Sequence, residues 1–378
     1  MTTLFRFFMV IAIVCFALEN VVADVSDSRS NSSSLKADLC ALDFHSSRYA
    51  LDLIDVTPEP PSSPGNTVYP RVLCFVNTIS VHHKTRAQAV AETWGQRCEK
   101  LLFFSNVSDT ITIAAGTERE QNYEVIPLDV PADHDHLWQK HKATLQYVHQ
   151  RFRHDYDWIY KADDDAYVIM ENLRNYLLRP EIMQAYTREP MQMGHRFNMP
   201  DAALNRFIKN DSLNTLWHSR WDNMVYNSGG PGYIMNRLYL DKFVQSIPEW
   251  TCLSDAASTT VPDDMAISYC MMWYDVYPWD TRDYRGRERW HAYSPSLIYR
   301  TWDDPDDWYV KYHATVGGVR AGDESAAPDS VAFHYVKPPM MYHIERSLYL
   351  CRTGDEIPDV EAFNKQYDLA LGDKVMLS

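Results

Sequence analysis

The sequence predicts an α/β domain built on a mostly parallel sheet, and three observations lead there. Short apolar runs alternate with segments of helical spacing along much of the chain. Of 378 residues, 46% are apolar and 13% aromatic, which suffices for a substantial core. Three consecutive carboxylates, in "DWIYKADDDAYVI", follow directly on one of the apolar runs. Sheets of this class bind ligands beyond the carboxyl ends of their strands, so the cluster falls where a ligand would be met.

The elements support that reading in order. "RVLCFVNT" has the continuous apolar character of a buried strand, and "KTRAQAVAETW" spaces Ala87, Val90, Ala91 and Trp94 as a helix would. "KLLFFSN" and "YEVIPLDV" predict two more strands. "LWQKHKATLQYVHQRF" predicts a helix with Leu137, Leu145, Val148 and Phe152 toward the core, followed by a strand at "DWIY" and a helix at "MENLRNYLL". Farther on, "YNSGGPGYIMN" must turn tightly, because Gly229, Gly230, Pro231 and Gly232 cannot continue a helix. Helices are predicted from Leu238 to Ser246 and over "DDMAISYCMMW", where Asp263 and Asp264 suit the N-terminal dipole. "AFHYV" reads as a strand end.

The N-terminus carries a 12-residue apolar core, Phe7 to Leu18, behind Arg6. That is short of the roughly 20 residues a membrane span needs, so a signal peptide cleaved near Ala23 competes with an uncleaved anchor. Either one sends the chain into the secretory pathway, and glycosylation sequons at Asn31, Asn106 and Asn210 agree with that route. Residues 24–68 are rich in Ser, Asp and Pro and read as a stem, so the folded domain is expected from about residue 69 to 350, with 351–378 as a tail. Besides Cys15, six cysteines (Cys40, Cys74, Cys98, Cys252, Cys270 and Cys351) favour disulfides over metal thiolates, and without a CxxC pair a zinc site is not expected. A net charge of −15 with no basic run argues against a nucleic-acid partner.

Adjacent carboxylates in a partly desolvated cleft repel by on the order of a few kcal/mol, and a cation offsets that repulsion. Asp oxygens are hard ligands suited to Mg²⁺, Mn²⁺ or Ca²⁺, often with a substrate phosphate completing the shell. The plainer reading of Asp163, Asp164 and Asp165 is a solvated loop or a cap for the following helix. Position between a strand and a helix favours the ligand.

Five ordered blocks sharpen the choice: "DWIYKADDDAYVIMENLRNYL", "YNSGGPGYIMNRLYLDKF", "VPDDMAISYCM", "DTRDYRGRERWH" and "FHYVKPPMMYHIE". Together they resemble the core 1 β1,3-galactosyltransferases, inverting metal-dependent enzymes related to Fringe, over roughly residues 69 to 350. The resemblance implies a GT-A fold, a Rossmann-like mixed sheet flanked by helices, with a donor half to about residue 165 and an acceptor half beyond it. It implies Mn²⁺ held by Asp163, Asp165 and His334, with Asp164 reaching the donor sugar or ribose. UDP-galactose would be the donor, met by Lys140 and, by weaker matching, Thr78 and Arg86. Asp264 matches the base that takes the acceptor hydroxyl proton, with Asp263 in place of a more usual Glu. Gly229, Gly230, Trp308 and Tyr335 fall on the acceptor side.

By the same likeness Cys74 pairs with Cys98 and Cys252 with Cys270, leaving Cys40 and Cys351 by elimination. The implied acceptor is an O-GalNAc glycoprotein, the implied setting a Golgi membrane with a type II anchor, and secretion after signal cleavage is the alternative. A homodimer is left open. Two departures bear on specificity: a double-cysteine segment before FHYV is replaced by "GGVRAGDESAAPDS", and the basic residue usual before "LW" is His134 in "DHDH". Rival readings are a β1,3-glycosyltransferase with another donor or acceptor, and a chaperone-like paralogue without turnover.

Overall fold

The computed structural model describes residues 51–58 and 69–351, apart from 116–118, 201–203, 205–207, 209 and 255–259. The N-terminal apolar segment and Asn31 lie outside the described residues, and among those described no helix is long and apolar enough to cross a membrane. A seven-stranded mixed sheet organises the molecule, and its flanking helices fit a GT-A type fold.

The chain forms strand β1 (Val72–Asn77), helix α1 (Gln88–Glu92), and strands β2 (Lys100–Ser105), β3 (Asp109–Ala115) and β4 (Arg119–Pro127). Helix α2 (Leu137–Phe152), strands β5 (Trp158–Asp163) and β6 (Tyr167–Val168), and helices α3 (Met170–Leu177) and α4 (Pro180–Ala185) follow. Next come β7 (Gln192–Gly194), β8 (Arg196–Pro200), α5 (Asp211–His218), β9 (Asn223–Asn227), β10 (Tyr233–Asn236) and α6 (Arg237–Ser246). The described chain ends through α7 (Asp263–Met272), β11 (Trp290–His291), α8 (Trp308–His313), β12 (Ala332–Phe333) and α9 (Pro338–Glu345).

The strand order is β3-β4-β2-β1-β5-β10-β7, with β8-β9 and β11-β12-β6 as smaller sheets. Within the seven-stranded sheet, β4-β2-β1-β5 run parallel. Strand β3 pairs antiparallel with β4, and β10 antiparallel with both β5 and β7, so the expectation of a mostly parallel sheet holds for the centre alone. The short β3–β4 connection is one reason: a tight link can join antiparallel neighbours but not parallel ones. Strand β3 went unread in the sequence although it alternates, with Ile111 and Ile113 buried and Thr110 and Thr112 exposed.

Alternation in the central strands builds a core on each face of the sheet. Val72, Cys74 and Val76 of β1 join Trp158, Tyr160 and Ala162 of β5 in one cluster, while Leu73, Phe75 and Ile159 join the other with Trp138 and Met265. Each buried Phe or Leu contributes about 2 kcal/mol. The stretch read as one helix, "KTRAQAVAETW", is instead a π turn (His83–Ala87), the short α1 and a 3-10 turn (Trp94–Arg97). His83 is pinned inside, its ring nitrogens 2.9 Å from Asp109 and 2.7 Å from Ser105. Within the segment read as stem, Leu51 and Ile54 are fully buried, so packing against the domain begins before residue 69.

Disulfides join Cys74 to Cys98 and Cys252 to Cys270, as the resemblance implied. Cys351 is also disulfide-bonded, and Cys40 lies outside the described residues. Asn106 and Asn210 are exposed.

Candidate active site

Strand β5 delivers the acidic cluster. Successive side chains of a strand point to opposite faces, so Lys161 and Asp163 share the face of Ile159, toward α7. Asp163 ends the strand, and Asp164 and Asp165 form the turn beyond it. Lys161 is 1% exposed and donates to Asp163 Oδ1 at 2.8 Å and to the Gly229 carbonyl at 3.0 Å, with Asp263 Oδ2 at 3.5 Å. Burial alone would lower the Lys161 pKa, but Asp163 and Asp263 outweigh it and hold the ammonium above its ordinary value.

Asp164 is committed to the protein. It accepts from Thr78 Oγ1 at 2.7 Å and from Arg86 Nη1 at 3.2 Å, and lies 2.9 Å from His82 Nδ1. Its side chain has little exposure left for a donor sugar, and Thr78 and Arg86 hold it in position. Arg86 also reaches Asp165 at 3.3 Å, and Asp165 Oδ1 lies 3.4 Å from His334 Nε2. Burial would raise Asp165, but His334 and Arg86 prevail and its pKa is lowered. Lys140 is nearly buried and donates to the Thr78 carbonyl at 2.7 Å, and burial pushes it down to about 8.

Helix α7 brings the second acidic pair. Gly229 N–H donates to Asp264 Oδ2 at 2.8 Å, and the Met265 N–H donates to Oδ1 at 2.8 Å. Burial and the neighbouring Asp263 push Asp264 up to about 6, against those two donors. Asp263 turns inward instead, with His141 Nδ1 3.3 Å and Lys161 3.5 Å from its Oδ2. Burial would raise it, yet Lys161 and His141 keep it below the usual carboxylate value. The two members of the pair are thus driven apart, one held as an ion and one poised near neutrality.

The "SGGPG" turn sets the spacing. A Cβ on Gly230 would lie 2.1 Å from His334 Nδ1, and Gly232, at φ +85°, would press a Cβ within 2.2 Å of the Lys161 carbonyl. Tyr335 also adopts a left-handed backbone, φ 55°, which leaves its ring 58% exposed and stacked on His334 at 3.8 Å between centroids.

These residues border one cleft of about 400 Å³, lined by Asp163, Gly229, Gly230, Asp263, Asp264 and His334 and, on its aromatic side, by Phe197, Trp308 and Tyr335. His134 and Leu137, at the start of α2, complete one end. The structure therefore gathers Asp163, the Asp263–Asp264 pair, the glycine turn, Trp308, Tyr335 and His334, which are far apart in sequence, while Thr78, Arg86 and Lys140 stand behind the acidic turn. Asp165 Oδ1 lies beside the His334 imidazole, and Asp163 borders the same cleft as His334; carboxylate oxygens and an imidazole are donors that a hard divalent ion accepts.

Sequence reasoning did not find Lys161, His82, His141 or Phe197. Lys161 had a signal, since a strand cation two residues before a carboxylate shares its face. His82 and His141 had none, because their partners are 82 and 122 positions away.

The sequence model described as Fringe-like matches residues 68–279, which takes in the acidic cluster, the glycine turn and the Asp263–Asp264 pair. The chain is 30% identical over 285 residues to glycoprotein-N-acetylgalactosamine 3-beta-galactosyltransferase 1 of Xenopus laevis, covering 75% of this chain and 67% of that protein. It is also 24% identical over 212 residues to chondroitin sulfate synthase 3 of Mus musculus, 56% of this chain and 21% of that larger protein. The Fringe-like match and the alignment to the Xenopus protein agree with the blocks that suggested a family: the chain belongs to the core 1 β1,3-galactosyltransferase family, within the Fringe-like group.

Proposed function

We propose that this chain is an inverting glycosyltransferase that moves galactose from UDP-galactose to O3 of GalNAcα-Ser/Thr. The observation that carries the proposal is Asp264, fixed by the Gly229 N–H on the border of the cleft that also holds Asp163 and His334. An inverting transfer is a single displacement. The acceptor oxygen attacks the anomeric carbon, the bond to the diphosphate breaks on the opposite face, and a base takes the hydroxyl proton.

Asp264 suits the base because its pKa, about 6, lies close to working pH while the carboxylate remains ionised above it. Asp263 serves it electrostatically, raising Asp264 while Lys161 and His141 hold Asp263 itself in place. Mn²⁺ held by Asp163, Asp165 and His334 would neutralise charge on the UDP leaving group. Lys161, Arg86 and Lys140 keep the acidic turn ordered around that position. Trp308 and Tyr335 offer exposed faces to an acceptor sugar. An anchored, lumenal Golgi enzyme acting on O-GalNAc glycoproteins is the setting that accompanies this reading.

A panel of UDP-sugars against a GalNAc-peptide and other acceptors with Mn²⁺, reading product linkage, tests it. The expected product is galactose β1,3-linked to GalNAc. Transfer of another sugar, or to another acceptor, would overturn the specific assignment.

A further inference from the structure

Behind the aromatic side of the cleft lies a second group of polar side chains that the transfer chemistry does not use. His195, between β7 and β8, is 0% exposed, and His313, the last residue of α8, is 1% exposed. Their Nδ1 atoms lie 2.6 Å from the Trp290 carbonyl and 2.7 Å from the Tyr309 carbonyl. A carbonyl oxygen only accepts, so both Nδ1 atoms carry hydrogen. The two Nε2 atoms then face each other at 3.0 Å, and in neutral rings both present lone pairs.

Such a pair needs a positive centre between or beside its nitrogens. Glu288 supplies the third group: its carboxylate is 14% exposed, and one ligand atom from each of the three residues lies within 4.8 Å of the others. Its Oε2 lies 3.5 Å from His195 Nδ1, the atom that donates to the Trp290 carbonyl. The nearby Arg196 and Arg282 are both engaged with Asp280, at 2.6 and 2.7 Å. An adjoining cavity of about 10 Å³, bordered by Glu288 and His313, has room for one water.

We propose that His195, His313 and Glu288 bind a zinc ion, through the two Nε2 atoms and a carboxylate oxygen, with water from that cavity as the fourth ligand. Two histidines and a carboxylate are a common tetrahedral set, and nitrogens on such an ion stand about 3.3 Å apart, a few tenths beyond the observed spacing. A divalent ion requires imidazoles with a free ring nitrogen and an ionised carboxylate, and the two Nδ1–H bonds to carbonyls leave both Nε2 lone pairs free for it. The ion ties α8 to the β7–β8 corner. Phe197, two residues after His195, packs 5.6 Å from Trp308 on that same helix, so the tie sets the aromatic side of the cleft.

The test is zinc content of the full chain, purified without chelator and dialysed in Mn²⁺ buffer, together with the melting temperature on adding Zn²⁺. Wild type should retain about one equivalent of zinc, and Asp165→Ala should retain the same amount, because its lesion lies in the donor site. His313→Asn and the isosteric Glu288→Gln should each bind zinc at least about tenfold more weakly. Glu288→Gln decides if His313→Asn fails to fold. A wild-type protein that holds no zinc and whose melting temperature ignores added Zn²⁺ would overturn the proposal. So would zinc lost in Asp165→Ala and kept in Glu288→Gln.

Discussion

The cleft is bordered by two kinds of surface. On the acidic side, Asp163, Asp164 and Asp264 each meet a donor within 3.2 Å, and those donors come from β5, the turns after β1 and the glycine loop. On the aromatic side, Phe197, Trp308 and Tyr335 meet mainly other rings, with Trp308 49% and Tyr335 58% exposed. The first surface is preorganised by charge and leaves little freedom. The second gains its shape from packing and tolerates change. On the proposed reading the first surface meets the donor and the second the acceptor, so the departure from the family in "GGVRAGDESAAPDS" would bear on the acceptor alone.

Breaking the acidic side should have the largest effect. Asp165→Ala removes the partner of His334 and should abolish the rise in melting temperature given by Mn²⁺ plus UDP, with transfer falling about 10³-fold or more. A preserved thermal shift would remove Asp165 from the donor site. Gly230→Ala should follow, because its Cβ must displace His334 from 2.1 Å. Transfer should drop roughly 10- to 100-fold with a weakened Mn²⁺ response, and unchanged kinetics would show that His334 is not needed where it stands. The smallest effect is expected on the aromatic side. Trp308→Ala should raise the acceptor KM several-fold, for a loss of about 1 kcal/mol, and leave the donor KM unchanged. An equal rise in both would break the separation of the two surfaces.

The acidic side was also the more legible in sequence. Charge clusters keep their meaning without tertiary context: a triple Asp at a strand end and a paired Asp at a helix start were located as the structure has them. Helix α2 was bounded from its apolar spacing, since a 16-residue amphipathic run leaves little choice. Short and distorted elements fared worse. The π turn at His83–Ala87 depends on a buried imidazole bridging two strands, and β3 is defined by pairing with β4. The partners of Asp164 were not visible either. A sequence shows three adjacent charges and suggests an outside cation, whereas the fold supplies Lys161, Arg86 and His82 from within. Aromatic residues carry the weakest signal, because 11 tryptophans look alike until burial separates Trp308 from fully covered ones such as Trp158 and Trp290.

Asp264 is the group on which the catalytic account turns, and Asp264→Asn, assayed for both UDP binding and transfer over pH, tests it most directly. Wild-type kcat/KM should fall on the acid side with an apparent pKa near 6, as protonation removes the base. The variant should bind Mn²⁺ and UDP as wild type does while transfer drops by about 10² to 10⁴ and the acid limb disappears. Transfer retained within a few-fold, with the acid limb intact, would contradict the account and move the base elsewhere in the cleft.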